Sequence, residues 1–414
     1  MIFSISSILC GCPEQPIPGK AMNRSHSMFL LLAVALFPST AMANVGTPLM
    51  WASMLHLAVG NAVIGIIEGS LLARMFKCPK LPSILILIAA NYASAWAGGV
   101  YLLDHLASLP DITILNIRYW FLVYVLVAFV LTLLIEFPFF WLAMRSQKHS
   151  LRRALVATPV IHGISYALLL AWYWLASGTS MMTGLQVVSV AEMKISEPFS
   201  LYYLSLDGKK LLQMDLSPPG PAEVVSELAS RSQNDRLFVR ARADSGYNLY
   251  IYLRSGDRRT PTESPVLEDF SEQAPVEWVI DKKYSETARS SWFNFGPVPA
   301  IGTKSDWTYR TGFWPVQGIR GENEKTGSQV YYSLELPFAA WPVRNATQIS
   351  GDYVVAQLGK DQICMMHLES GRIALITRGK GPIVAKPKKA DKTVDSKAVP
   401  VIPAAEPRPQ NGQP

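Results

Sequence analysis

Four long apolar runs in the first half of the sequence constrain the fold more than any other feature. The runs cover residues 48–74, 81–103, 119–144 and 154–176, and each has about the 20 residues that an α-helix needs to cross a bilayer core. Only 17% of the chain is charged, whereas a soluble protein carries about 25%, and the shortfall is concentrated in the first half. The sequence therefore predicts an integral membrane protein with a four-helix transmembrane domain over residues 44–178.

A shorter apolar run precedes the four spans. Residues 28–37 are apolar, they follow a basic segment, and an Ala-x-Ala cleavage site ends at Ala43. This order is typical of a secretory signal peptide, here residues 22–43. It also indicates that translation starts at Met22, so we interpret residues 1–21 as a misassigned N-terminal extension.

Charges in the loops between the spans predict the orientation. The loops after the first and third spans are basic, whereas Asp104 and Asp111 follow the second span. The basic residues are Arg74, Lys77 and Lys80 in one loop and Arg145, Lys148, Arg152 and Arg153 in the other. The positive-inside rule puts these two loops in the cytoplasm. We therefore expect a multi-pass protein of the inner membrane, with the lipid bilayer as its first partner and its C-terminal part in the periplasm.

The pattern changes to short β-prone stretches over residues 179–380. Two of these stretches flank Asp207-Gly208, a dipeptide typical of β-hairpins. The sequence thus predicts a membrane all-α four-helix bundle with a separate β-rich extracytoplasmic domain. Residues 381–414 are rich in Lys, Pro and Ala, a composition that predicts a disordered tail.

Polar side chains inside the apolar spans are the first candidate functional residues. Counted from the basic residue at each cytoplasmic end, Glu68 lies six residues into its span, Glu136 and His162 nine, and Asn91 eleven. At 1.5 Å per residue, these positions lie about 9–17 Å into the membrane. Antiparallel helices should therefore bring two carboxylates, an imidazole and an amide to nearly one layer.

Helical spacing adds two residues to this intramembrane polar cluster. Asn61 and Glu68 are seven residues apart, so they share one face of the first helix, with Gly65 between them. Asn91 and Ser94 share a face of the second helix. Small residues such as Gly65 let neighbouring helices approach closely.

Three hypotheses account for these buried polar groups. An ionised glutamate in lipid costs about 2.5 kcal/mol or more, so Glu68 and Glu136 should face the bundle and be paired or protonated. They could form the proton- or cation-handling site of a small transporter or of an ion-coupled component. They could instead fix helix register by interhelical hydrogen bonds, or belong to an intramembrane enzyme. The sequence does not show whether these residues bind a metal.

Three short motifs carry a resemblance to known proteins: Asn91-x-x-Ser94, Glu136-x-Pro138 and Ser165-Tyr166. With them, residues 45–180 resemble a loosely defined group of uncharacterised bacterial and archaeal multi-span membrane proteins. This chain has His162 where the pattern has an asparagine. The resemblance implies a fold type and no activity.

The β-rich part offers a second resemblance and a second set of candidates. Three short strands between Tyr353 and Thr377 resemble one blade of a β-propeller, although a small sandwich fits the irregular spacing equally well. Trp292, Trp307 and Trp314 lie in a Gly- and Pro-rich stretch with few strand signals, where core packing is the default explanation for aromatic side chains. If the stretch is a loop, the same tryptophans could instead form a partner surface.

Several function classes lack their motifs in this sequence. It contains no phosphate-binding Gly-x-x-x-x-Gly-Lys-Ser/Thr loop, no His-Glu-x-x-His and no Gly-x-Ser-x-Gly. Its basic residues form no aromatic-interleaved stripe, so we expect no nucleic-acid partner. We assign no catalytic residue and no cofactor. The leading prediction is a bundle that anchors a periplasmic β-rich domain, which binds another membrane or periplasmic protein or a ligand.

Overall fold

The computed structural model describes residues 56–106, 111–176, 180–228, 235–243, 246–253, 262–275, 296–312, 318–336 and 339–387. All of them belong to one compact unit, Val45–Pro414. The predicted N-terminal extension and signal peptide, residues 1–43, lie outside the described residues.

Four described helices are long and apolar enough to cross a membrane, as the sequence predicted. They are α1 (Asn61–Phe76, preceded by a π-helical turn, His56–Gly60), α2 (Lys80–Leu106), α3 (Ile117–Met144) and α4 (Ser150–Ala176). Such helices suit a bilayer because a helix satisfies all its backbone hydrogen bonds internally, where lipid offers no partners. The helix ends agree with the predicted spans within a few residues, and residues 48–55 of the first span lie outside the described part.

Glycines bring α1 and α2 into close contact. A Cβ atom added at Gly65 would lie 2.5 Å from the Cα atom of Ile88, and one added at Gly69 would lie 2.5 Å from the Cα atom of Ile84. Only glycine fits at such distances, which is the packing that small residues allow between membrane helices.

The bundle end that carries the basic loops is packed with apolar side chains. The buried ones are Leu72, Cys78, Leu87, Ala90, Phe140, Met144, Ala154, Ala157 and Ile161. The two loops also contact each other, because Gln147 Nε2 and Arg153 both donate hydrogen bonds to the carbonyl oxygen of Phe76, at 3.1 and 2.9 Å. We call this the basic-loop end.

The chain leaves the bundle through a short helix, α5 (Ser180–Thr183), and enters a β-rich region of several sheets. Its strands are β1 (Gln186–Val187), β2 (Ser200–Leu204), β3 (Lys210–Asp215), β4 (Glu223–Glu227), β5 (Arg236–Ala241), β6 (Tyr247–Leu253), β7 (Thr262–Gln273), β8 (Gly296–Pro297), β9 (Trp307–Gly312), β10 (Gly318–Asn323), β11 (Gln329–Ser333), β12 (Glu335–Leu336), β13 (Ala339–Ala340), β14 (Val343–Ile349), β15 (Tyr353–Leu358), β16 (Gln362–His367), β17 (Arg372–Arg378) and β18 (Lys380–Pro387). The predicted hairpin is β2–β3, and Gly208 in its turn has a φ of 73°, a conformation that favours glycine.

The strands form three larger sheets and one small one. The orders are β1-β17-β16-β15-β14, β11-β10-β9-β8, β4-β3-β2-β18-β7-β6-β5 and β12-β13. The sheet that contains β15 and β16 is buried on both faces. Val354 and Met366 pack in one apolar cluster with Tyr309, whereas Val355 and Met365 pack in another with Tyr203. Burial on both faces explains why these strands are almost continuously apolar.

The predicted domain boundary at residue 380 is wrong. Residues 380–387 form β18, which pairs with β2 on one side and β7 on the other. Ile383, Val384 and Ala385 are buried there. Lys and Pro in this segment suggested a disordered tail, but the short apolar run between them supplies a central strand. Residues 388–414, the rest of the predicted tail, lie outside the described residues.

An ionic network ties β18 to the rest of the β-rich region. Glu197 accepts hydrogen bonds from Lys386 Nζ at 2.7 Å, from Thr303 Oγ1 at 2.6 Å and from Ser350 Oγ. Lys386 and these hydroxyl groups lower the pKa of Glu197 to about 2, because they stabilise the ionised carboxylate.

The segment between α2 and α3 docks the bundle onto the β-rich region. Ile114 and Ile117 are buried in the cluster that contains Tyr309, and the backbone N–H of Ile114 donates to Gln362 Oε1 at 2.7 Å. Asp111 pairs with Arg378, which lowers the pKa of Asp111 through its hydrogen bond. The β-rich region therefore lies at the bundle end opposite the basic loops.

Candidate functional site

Three ionisable side chains from three different helices meet inside the bundle. Glu68 lies on α1, Glu136 on α3 and His162 on α4, and their side chains are 1%, 0% and 1% exposed. Glu68 reaches this position because Gly65 and Gly69 on the same face draw α1 against α2. The structure thus brings together groups that helix depth predicted to share one layer.

His162 lies between the two carboxylates. Its Nδ1 atom is 3.0 Å from Glu68 Oε1, and its Nε2 atom is 3.5 Å from Glu136 Oε2. Phe140 packs edge-to-face on the imidazole, with ring centroids 5.2 Å apart. The ring therefore has an apolar neighbour and a carboxylate beyond each nitrogen.

Helix α2 supplies hydrogen bonds to the outer oxygens of the same carboxylates. Asn91 Nδ2 donates to Glu68 Oε2 at 2.7 Å, and Ser94 Oγ donates to Glu136 Oε1 at 2.6 Å. Asn91 is also anchored to its own helix, because Nδ2 donates to the carbonyl oxygen of Leu87 at 3.0 Å. These bonds orient the two carboxylates toward His162.

One pair of atoms in this cluster has no hydrogen bond. Glu136 Oε2 and His162 Nε2 are both buried and neither has a hydrogen bond, although they lie 3.5 Å apart, within ion-pair distance of each other. A buried polar atom without a partner costs about 1–3 kcal/mol. Such a cost is expected at a site that takes a ligand, and it is not expected of residues that only fix helix register.

A cavity of about 210 Å³ is lined in part by Glu136 and His162. Its lining includes Asn61 and Ile64, which precede Glu68 in α1, and Ala95 and Gly98, which follow Asn91 in α2. In this antiparallel bundle all four lie on the side of the cluster that faces the β-rich end. The described lining residues thus extend from the cluster toward that end, and apolar side chains fill the basic-loop end.

The remaining polar residues of the spans have other positions. Asn61 lines the cavity and donates to the carbonyl oxygen of Leu57 at 3.3 Å. Thr132, which sequence reasoning missed, forms a 2.8 Å hydrogen bond with Tyr166 Oη in the cavity wall. A single threonine in an apolar run is too common to be recognised as a site residue from sequence.

The cluster could hold a metal ion. Glu68, Glu136 and His162 each offer one ligand atom, and these atoms lie within 4.8 Å of one another. Among the described residues no other group of three or more His, Cys, Asp or Glu side chains has this geometry. Carboxylate oxygens and imidazole nitrogens are common ligands of divalent transition metals.

Of the three tryptophans considered for a partner surface, the structure describes only Trp307, and it does not lie at the surface. Trp307 is 5% exposed and belongs to the apolar cluster between two sheets, where its ring stacks on Tyr309 with centroids 6.0 Å apart. The Gly- and Pro-rich context suggested a loop, but Trp307 begins β9 and faces the core. Trp292 and Trp314 lie outside the described residues.

Comparisons of this chain with protein-family models, with curated proteins and with solved structures find no match.

Proposed function

We propose that this chain is a cation-binding component of the inner membrane, with its β-rich region in the periplasm. The observation that carries the proposal is that Glu136 Oε2 and His162 Nε2 are buried without a hydrogen bond, on two residues that line a cavity in the bundle. This proposal favours the cation-handling hypothesis over simple register fixing and over anchoring of a partner-binding domain. Burial of Trp307 removes one residue on which the anchoring hypothesis relied.

The proposed orientation is supported by opposite features at the two bundle ends. Seven basic residues lie in or beside the two loops at one end, and the positive-inside rule places such loops in the cytoplasm. The β-rich region docks at the other end through Ile114 and Asp111. A cation would then enter the cavity from the periplasmic side.

Cavity access can be tested with single cysteines in a chain whose four native cysteines are replaced by alanine. Ala95→Cys places a thiol in the cavity lining, and Ala157→Cys is the matched control in the apolar end. A membrane-impermeant maleimide should label the first variant in spheroplasts and label neither in inverted vesicles. Labelling should slow when Na⁺, K⁺ or Mn²⁺ occupies the site.

Two results would count against the proposal. Labelling of Ala95→Cys from the cytoplasmic face would reverse the assigned side. If no cation slows the labelling, the cavity binds no cation, and the polar cluster only fixes the packing of the helices.

A further inference from the structure

We propose that the cation is a divalent transition metal ion or Zn²⁺, bound directly by His162 Nε2 and Glu136 Oε2. Glu68 positions the imidazole of His162 for this role. This inference rests on the proposed function, because it names the ligand of the same site.

The Glu136 Oε2–His162 Nε2 distance suits two ligands of one ion. Divalent metals bind imidazole nitrogen and carboxylate oxygen at about 2.0–2.2 Å, so adjacent ligand atoms lie roughly 3.0–3.6 Å apart. The observed separation is 3.5 Å. A direct hydrogen bond would bring the atoms to about 2.7–3.2 Å, and neither atom has a hydrogen bond.

Glu68 prepares the imidazole for this role. A carboxylate oxygen is an acceptor, so the 3.0 Å contact between Glu68 Oε1 and His162 Nδ1 assigns the ring proton to Nδ1. The lone pair of the neutral ring is then on Nε2, the atom without a partner. Metal-binding histidines commonly donate their other ring N–H to a carboxylate in this way.

Charge and ligand type restrict the ion further. Two carboxylates balance one divalent charge, and the cavity lining includes no Lys or Arg among the described residues. An imidazole with oxygen ligands suits Zn²⁺, Mn²⁺, Fe²⁺ or Co²⁺, whereas Mg²⁺ and Ca²⁺ prefer oxygen ligands alone. The 210 Å³ cavity has room for the water molecules that would complete the coordination.

The full chain, purified in lipid nanodiscs and stripped with a chelator, should be dialysed against Co²⁺. We expect a single Co²⁺ per chain by mass spectrometry, with visible d–d absorption bands. His162→Asn and Glu136→Gln should abolish retention, and Glu68→Gln should weaken binding by about 10–100-fold, as loss of an orienting carboxylate does. Tyr166→Phe, which changes the cavity wall outside the proposed ligand set, should bind normally.

A second measurement covers the case in which a variant does not fold. X-ray absorption of the Co²⁺-loaded wild-type chain should show one imidazole among oxygen ligands. The inference fails if the wild-type chain retains no Co²⁺, if retention survives both ligand substitutions in folded protein, or if no imidazole is bound. If Na⁺ or K⁺ slows the labelling of Ala95→Cys but the chain retains no Co²⁺, the assignment of a divalent metal is wrong and the proposed function still holds.

Discussion

Replacement of Gly65 by alanine should separate α1 from α2 and disturb the cluster one turn away. The new Cβ atom would lie 2.5 Å from the Cα atom of Ile88, whereas ordinary contact begins near 3.4 Å, so the helices must separate by about 0.9 Å. A rigid shift of that size lengthens the Asn91 Nδ2–Glu68 Oε2 distance from 2.7 Å to about 3.6 Å, which is too long for a hydrogen bond.

The energetic cost follows from these two effects. Overpacking of this kind costs about 1–3 kcal/mol, and an interhelical hydrogen bond in a membrane protein contributes about 0.6 kcal/mol. Alanine is favoured over glycine in a helix by up to about 1 kcal/mol, which offsets part of this cost, so we expect the free energy of unfolding to fall by roughly 1–3 kcal/mol. Equilibrium unfolding of the purified chain in mixed micelles, titrated with a denaturing detergent, measures this quantity.

Gly163→Ala is the matched control on α4, because no heavy atom lies within 4 Å of its added Cβ. Alanine is favoured over glycine in a helix by up to about 1 kcal/mol, so this variant should be as stable as the wild type or more stable. The packing argument is refuted if Gly65→Ala and Gly163→Ala unfold at the same detergent concentration.

Three further predictions concern the β-rich region and its docking. Truncation of residues 388–414 should leave the thermal midpoint of the full chain unchanged, whereas truncation of residues 380–414 removes β18 and should prevent folding, as judged by protease resistance. Glu197→Gln should destabilise the chain by about 1–3 kcal/mol at neutral pH, since it removes a charge-assisted network. Because the pKa of Glu197 is about 2 when folded, its contribution is present above its ordinary pKa of 4.5 and disappears as the pH falls to 2, so the melting temperatures of wild type and variant should converge there. Asp111→Asn weakens the pairing with Arg378 and should speed proteolysis between bundle and β-rich region at neutral pH, with a smaller difference in acid, where the wild-type carboxylate is also neutral.

The sequence was most informative about the bundle. Apolar length alone located the four helices, and counting residues from the basic ends placed Glu68, Glu136 and His162 in one layer. Counting residues does not give the rotation of each helix about its own axis. The absence of a hydrogen bond between Glu136 and His162 can therefore be seen only in the structure. Thr132 was missed for the same reason, because its hydrogen bond is to Tyr166 on another helix.

The β-rich region was harder to predict. Hairpins such as β2–β3 have local turn residues and were found, whereas β18 pairs with strands far away in the chain and has a tail-like composition around it. Trp307 packs in the core, the default expectation for an aromatic side chain, and the alternative of a partner surface came only from the neighbouring Gly and Pro residues, which favoured a loop. The resemblance of the three strands β15 to β17 to one blade of a propeller stays a prediction.

The position of β18 also determines when this region can fold. Leu201 of β2 pairs with Val384 of β18, so the central pairing joins residues about 180 positions apart. On the proposed topology, the large sheet is incomplete until almost the whole chain has crossed the membrane. Until then β2 and β7 expose free edges, and such long-range pairing is slow and prone to aggregation. Export of this protein should therefore depend on factors that protect unfolded chains in the periplasm.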